Sequence, residues 1–138
     1  MVNTINMQDM RQLNLFSNIT KIRTRFCFKY NEAIVFCVPI RMVSKAVGKG
    51  GLNIKKMSEI LRKRIKVIPA PRGIQDAKTF IEAIVSPVKF NDLEITDSEI
   101  ILTAGSHSKA ALIGRNKRRL IEMQKIVRDF FNKEFRII

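Results

Sequence analysis

Three glycines and a lysine stand together in the first half of the chain, in the stretch Gly48-Lys49-Gly50-Gly51. Glycine costs up to about 1 kcal/mol in a helix interior, so the stretch predicts a break between two helices. A tight turn there exposes the N–H groups that open the second helix, and these groups favour an anion. Because glycine has no side chain, a sugar-phosphate backbone can approach closely, and Lys49 adds a positive charge. Asn53, Lys55 and Lys56 follow on the predicted second helix.

A second turn of this kind lies 66 residues downstream, at Gly114-Arg115-Asn116-Lys117. At this offset apolar positions match apolar positions, as in the pair Met57 and Met123, which is expected of two copies of one small fold. The offset grows to 70 where Arg64–Ile68 meets Glu134–Ile138. The second copy is therefore predicted to contain about one extra helical turn.

The second turn departs from the first at its last position, where Lys117 replaces glycine. A side chain at that position is expected to hinder the approach of a nucleic-acid backbone. Four of the five residues from Arg115 to Arg119, Arg118 among them, are basic. Their charge is expected to compensate, so a phosphate site is predicted at this turn as well.

The charge of the chain points to a polyanionic partner. Twenty-six Lys and Arg stand against twelve Asp and Glu, a formal net charge of +14. Residues 1–70 carry +11 (14 basic, 3 acidic) and residues 71–138 carry +3 (12 basic, 9 acidic), so the first half is the expected main contact. Such a surplus most often indicates nucleic acid. No apolar run approaches the roughly 18 residues of a membrane span, and the first residues do not have the pattern of a signal peptide, so we expect a cytoplasmic protein without membrane contact.

The hydrophobic pattern predicts one order of elements in both halves. The first half is predicted to hold a helix at about 7–16, strands at 26–30 and 33–38, a helix at 41–47, the break, a helix from 52 to about 63 and a strand at 65–68. The second half is predicted to hold a helix capped by Asp76, strands at 88–95 and 100–103, a short helix to about 113, the break, a long helix over 120–131 and a strand at 135–138. Pro69–Gly73 cannot continue a helix or a central strand and separates two predicted domains, 1–70 and 71–138.

The first glycine turn, with a strand and a short helix before it and a basic amphipathic helix after it, resembles the GXXG loop of a KH domain. In KH domains this loop clamps a single strand of about four nucleotides. The additional helix and strand before the core resemble the prokaryotic arrangement, type II. Two such domains in tandem are similar to the archaeal NusA-like transcription factors.

The resemblance implies an α+β fold of two tandem type II KH domains, each a three-stranded mixed sheet packed on helices with a GXXG-type loop between two helices. It implies a single-stranded RNA-binding protein that acts in transcription elongation or termination, with RNA polymerase as a further candidate partner. Two alternatives stay open: a KH-type factor in ribosomal RNA processing or ribosome assembly, and an interaction protein that docks on polymerase. The implied RNA-binding residues are Gly48, Lys49, Gly50, Gly51, Asn53, Lys55, Lys56, Gly114, Arg115, Asn116, Lys117 and Arg118.

Little in the sequence indicates catalysis. The single histidine, His107, lies where a helix is predicted to begin and is expected to belong to its cap. Asp92, Glu94, Asp97 and Glu99 surround a predicted turn and indicate a solvated hairpin rather than a metal site. We therefore expect no enzymatic activity, no cofactor, no metal and no small-molecule substrate.

Two other motifs and a possible disulfide are disfavoured by the sequence. A helix-turn-helix would account for two helices with a glycine turn, but not for the strands on both sides or for the repeat. A P-loop needs Ser or Thr after the lysine, where this chain has glycine. Cys27 and Cys37 lie on neighbouring predicted strands, and we expect buried thiols that pack as small hydrophobes rather than a disulfide.

Overall fold

The computed structural model describes residues 7–138, so the first six residues of the predicted domain 1–70 lie outside the described residues. The described chain divides after Ala70 into two compact units. Each unit contains helices and one three-stranded sheet, which confirms the predicted α+β class. Within the described residues, no helix is long and apolar enough to span a membrane.

Up to Ala70, the described residues of the first unit form three α-helices and three strands in the order that the sequence predicts. Short 3-10 turns precede the second and third helices, at Ile40–Met42 and Lys49–Gly51. The elements are α1 (Met7–Thr20), β1 (Phe26–Tyr30), β2 (Ala33–Val38), α2 (Val43–Val47), α3 (Leu52–Leu61) and β3 (Arg64–Pro69).

The first sheet is mixed, with β2 at its centre. Strand β1 pairs antiparallel to β2, and β3 pairs parallel to it. The two residues between β1 and β2, Asn31 and Glu32, both have positive φ (51° and 63°), as a two-residue hairpin turn requires. All six residues of β2 are buried. A central strand without an exposed face reads as a continuous apolar run, which is why the sequence predicts it so well.

The core of the first unit lies between one face of this sheet and the helices. Ile34, Phe36 and Val38 alternate along β2 and belong to the same cluster as Phe16 of α1 and Met57 of α3. The rings of Phe16 and Phe36 stack with centroids 4.5 Å apart. This core fixes α1 and α3 on the sheet and so positions the turn that opens α3.

The second unit repeats this plan. It contains α4 (Ala77–Val85), β4 (Asp92–Ile95), β5 (Glu99–Thr103), α5 (Ser106–Ile113), α6 (Arg118–Phe131) and β6 (Glu134–Ile137). Strand β5 is central, antiparallel to β4 and parallel to β6. Phe80 of α4 packs against Phe130 and Phe131 at the end of α6, with ring centroids 4.8 Å and 5.8 Å away.

The strand registers show the same offsets as the sequence repeat. Ala33 pairs with Arg64 in the first sheet, and Glu99 pairs with Glu134 in the second. The central strands are thus offset by 66 positions and the last strands by 70. The difference lies in the helix before the last strand, because α6 has 14 residues and α3 has 10. The predicted extra turn is confirmed.

Several predicted boundaries differ in the structure; α1, for example, ends at Thr20 rather than at about residue 16. Helix α3 ends at Leu61 rather than at about residue 63, because Arg62 adopts a left-handed conformation (φ 55°) that ends the helix. Strand β3 includes Pro69 as its last residue, which an edge strand tolerates. Strand β4 begins at Asp92 rather than Val88, since the register pairs Asp92 with Thr103, the last residue of β5.

Asp76 does not cap α4 with its side chain, contrary to the prediction. Its carboxylate instead accepts hydrogen bonds from the backbone N–H of Arg72 (2.9 Å) and from the Arg72 guanidinium Nε (2.9 Å) and Nη2 (3.1 Å). These bonds lower the pKa of Asp76 to about 2. The carboxylate therefore joins the segment after the first unit to the start of α4.

The two cysteines are free thiols. Phe26 lies opposite Cys37 in the ladder and Cys27 lies opposite Phe36, so alternation along the strands points the two thiols to opposite faces of the sheet. Burial, and then the charge of Asp9, raises the pKa of Cys27 to about 12. Burial also raises the pKa of Cys37.

Candidate nucleic-acid interface

The first glycine turn joins α2 to α3 through an unusual backbone path. Gly48 has φ 83° and ψ 164°, a region that is open almost only to glycine. Gly50 (φ 62°, ψ 22°) and Gly51 (φ 75°, ψ 18°) are both in the left-handed region. Three of the four turn residues therefore have positive φ. Glycine adopts such conformations without a steric penalty, which explains why glycines stand at this break between the helices.

The glycines of this turn are needed for two different reasons. A Cβ on Gly48 would lie 2.9 Å from Cγ of Asn53, so this glycine is required by space as well as by conformation. A Cβ on Gly50 or Gly51 would meet no atom within 4 Å. At these two positions glycine leaves open surface on which the backbone of a ligand can lie.

The side chain of Asn53 connects the first glycine turn to helix α2. Its amide Nδ2 donates a hydrogen bond to the backbone oxygen of Lys45, 3.3 Å away in α2. The same side chain packs under Gly48. Asn53, which the KH resemblance implies to be an RNA-binding residue, thus has a positioning role that is visible without any ligand.

The charges around this turn are available to a partner. Lys49, Lys55 and Lys56 are exposed, and within residues 7–138 none of them forms an ion pair. The first turn of α3 contains no acidic residue, so nothing there offsets the positive end of the helix dipole. The open glycines, the helix start and the lysines together form a surface suited to phosphate.

The second turn has the same backbone conformation although it has lost two glycines. Gly114 has φ 74° and ψ 173°, Asn116 has φ 56° and ψ 28°, and Lys117 has φ 60° and ψ 22°. The largest difference from the first turn is 15°, between φ at Gly51 (75°) and at Lys117 (60°). The protein backbone therefore keeps the path of the first turn and accepts a left-handed lysine at a cost of about 1–2 kcal/mol.

The second turn is connected to its preceding helix, α5, by the residue equivalent to Asn53. Arg119, offset by 66 from Asn53, donates from Nη1 to the backbone oxygen of Ala111 at 2.8 Å. A Cβ on Gly114 would lie 3.0 Å from Cγ of Arg119. Arg119 is not among the binding residues that the sequence predicts. The repeat offset was the signal that could have revealed it.

The structure places the remaining predicted residues of the second turn on its surface. Arg115, Asn116, Lys117 and Arg118 are all exposed. Arg119 is half-buried and committed to its bond with Ala111, so it is not among the exposed cations. Each turn thus presents its own cluster of predicted residues within its own compact unit.

Two curated proteins that are similar in sequence to this chain carry the same name. No profile of a known protein family matches the chain. It is 27% identical over 114 residues to the "Probable transcription termination protein NusA" of Methanococcus vannielii, a match that covers 80% of the chain and 64% of that protein. It is 23% identical over 125 residues to the protein of the same name from Methanocaldococcus jannaschii, covering 88% of the chain and 67% of the relative.

A solved structure shares the fold. The structure titled "Crystal structure of APE1850" superposes with a TM-score of 0.68 at 21% identity, over 97% of this chain and 99% of that one. The two curated relatives are longer than the matched region, which spans about two thirds of each. The chain is therefore a distant relative of archaeal proteins named as probable transcription termination proteins, with the α+β fold of that solved structure.

Proposed function

We propose that this chain is a non-enzymatic, NusA-like RNA-binding protein built from two tandem type II KH domains, 1–70 and 71–138. It binds single-stranded RNA in transcription elongation or termination and contacts RNA polymerase as a second partner. The named relatives support the transcription role. The two mixed sheets with a turn between paired helices are compatible with the KH assignment.

The observation that carries the proposal is the shared conformation of the two turns. Asn116 and Lys117 keep the left-handed geometry of Gly50 and Gly51 despite its cost. A turn that served only to connect two helices could relax to a conformation that these side chains favour. Backbone strain of this kind clusters at active sites and ligand clamps.

In the proposed complex the RNA backbone lies across each turn. At the first turn, phosphates face the start of α3 and the side chains of Lys49, Lys55 and Lys56, while Gly50 and Gly51 leave room for the sugar. At the second, Arg115, Lys117 and Arg118 supply the charge. Asn53 and Arg119 act by holding each turn in position, and neither needs to contact RNA for this role.

The test is the affinity of the intact protein for a 12-nucleotide uridine RNA as a function of salt. Each phosphate contact on a single strand should contribute about −0.7 to the slope of log affinity against log salt. A flat plot would contradict the electrostatic basis of the proposal. Binding of duplex DNA as tightly as this RNA would point to a helix-turn-helix instead. Co-purification with polymerase rather than with ribosomal subunits separates transcription from ribosome assembly.

A further inference from the structure

A basic segment outside both glycine turns lies at the edge of an open groove. It connects α1 to β1 and runs from Lys21 to Arg25, and its residues alternate in exposure. Lys21, Arg23 and Arg25 are exposed, whereas Ile22 is buried and Thr24 is half-buried. Three exposed cations therefore stand at every second position of one short stretch of chain.

Two threonines fix this segment. The Thr20 hydroxyl, 3% exposed, donates to the backbone oxygen of Phe16 at 2.7 Å and accepts from the N–H of Ile22 at 3.1 Å. The Thr24 hydroxyl donates to the backbone oxygen of Cys37 and accepts from the N–H of Phe26 at 3.2 Å. A connection held at both ends presents its cations with less loss of entropy on binding than a free loop would.

The adjoining groove has a volume of about 880 Å³ and is lined entirely by residues of the first unit. Asn14 and Asn18 lie four residues apart on α1 and line it, together with Arg23, Arg25 and Phe26. No carboxylate lines the groove, and neither arginine forms an ion pair with any residue in the range 7–138. The groove thus combines free positive charge with amide groups and an aromatic wall.

We propose that this segment and groove form a second contact site for single-stranded RNA, made of residues that belong to neither glycine turn. Phosphates bind Lys21, Arg23 and Arg25, and a base enters the groove, where the amides of Asn14 and Asn18 reach its polar edge. Cations for the backbone and amides for base edges are the pairing that single-stranded RNA recognition uses. The choice of RNA as ligand rests on the proposed function.

An acidic peptide is the competing occupant of such a groove. It would satisfy the arginines and could use the exposed Met10, which also lines the groove. The observations favour RNA because cations recur at every second residue, matching a ligand with regularly repeated charge, and because Asn14 and Asn18 supply donors and acceptors that an apolar peptide face would leave unused.

The experiment compares Arg23→Ala/Arg25→Ala with the control Lys78→Ala/Lys89→Ala, which removes the same charge from exposed positions of the second unit. The probe is the 12-nucleotide uridine RNA. We expect the first variant to bind about tenfold more weakly and its salt slope to be shallower by about 1.4, two contacts at about 0.7 each, while the control stays near the wild type. Ultraviolet crosslinking should attach RNA to the peptide containing Phe26.

A charge-neutral variant, Asn14→Ala/Asn18→Ala, tests the groove separately and covers the case in which the arginine variant does not fold. It should weaken RNA binding and reduce the Phe26 crosslink without changing the salt slope. If both variants bind as the wild type does, the second site is wrong while the proposed RNA-binding function stands. If the wild type binds no RNA, the proposed function fails first. If a poly-glutamate peptide binds tightly but does not displace the RNA, the groove belongs to a protein partner instead.

Discussion

Replacing Lys49 and Gly50 with aspartate puts negative charge where we propose that phosphate binds. The double variant removes one cation and adds two anions, which makes three unit changes of charge facing a phosphate. At about 5 Å in a water-like dielectric each unit is worth about 0.8 kcal/mol, so the sum is about 2.5 kcal/mol. Affinity for a short single-stranded RNA should fall by nearly two orders of magnitude.

The fold should tolerate this variant. Lys49 and Gly50 are exposed, and a Cβ at Gly50 meets no atom within 4 Å. Aspartate enters the left-handed conformation of Gly50 (φ 62°) at a cost of about 1 kcal/mol. For a domain of this size that corresponds to a decrease in the thermal midpoint of about 4–8 °C. Binding measured at 25 °C by fluorescence anisotropy therefore reports on the surface rather than on unfolding.

Two comparisons make the result decisive. Lys78→Asp/Thr79→Asp makes the same charge change at exposed positions of α4 and should leave affinity nearly unchanged. Arg115→Asp/Asn116→Asp makes it at the second turn, where Lys117 and Arg118 remain, so the loss should be smaller than at the first turn. Wild-type affinity in the first-turn variant, with a large loss in the second-turn variant, would mean that the second turn is the acting site. Unchanged affinity in both would reduce the turns to connectors.

The remaining predictions concern stability and reactivity. Gly48→Ala should lower the free energy of unfolding by about 2–3 kcal/mol in guanidinium titrations, against about 1 kcal/mol for Gly50→Ala, because only the former adds a Cβ 2.9 Å from Asn53; equal losses would contradict this ranking. The pKa of Asp76 is about 2 in the folded state, against an ordinary value of 3.8. The contribution of this carboxylate to stability is therefore fully present above pH 4 and is lost as the pH falls towards 2. The thermal midpoint of Asp76→Asn should lack that part of the acid dependence. Cys27, with its pKa raised to about 12 from 9.0, should react with iodoacetamide at pH 8 roughly a thousandfold more slowly in folded than in unfolded protein, as followed by mass spectrometry of its peptide.

Strand β2 could be predicted from sequence at its observed bounds, and the reason is local. Its six apolar residues, Ala33–Val38, are followed by Pro39, and a strand buried on all sides needs no alternation to be recognised. Strand β4 could not, because its start depends on its partner. The apolar residues from Val88 onward suit a strand, yet β5 supplies pairing residues only as far as Thr103, opposite Asp92.

The sequence also could not predict which of two possible hydrogen-bond partners a side chain binds. Asp76 occupies the position of a helix cap, but the guanidinium and the N–H of Arg72 offer it more bonds than the helix start does. At the candidate site, the three glycines of Gly48–Gly51 directly predict the break between helices and its positive φ angles. The left-handed path at the second turn has a weaker signal, because asparagine is only moderately enriched in that region and lysine usually avoids it.

The four extra residues of α6 have a consequence for how the repeat can change in length. Each residue of an α-helix rotates the chain by about 100°, so four residues add about 400°, only about 40° beyond a complete revolution. Strand β6 can thus leave its helix in nearly the same direction as β3 and still pair parallel to the central strand. An insertion of two residues would rotate the exit by about 200° and aim the strand away from its sheet. Length variation at this junction is therefore tolerated in steps of about one revolution, which makes the α6–β6 junction a natural place to lengthen this fold by design.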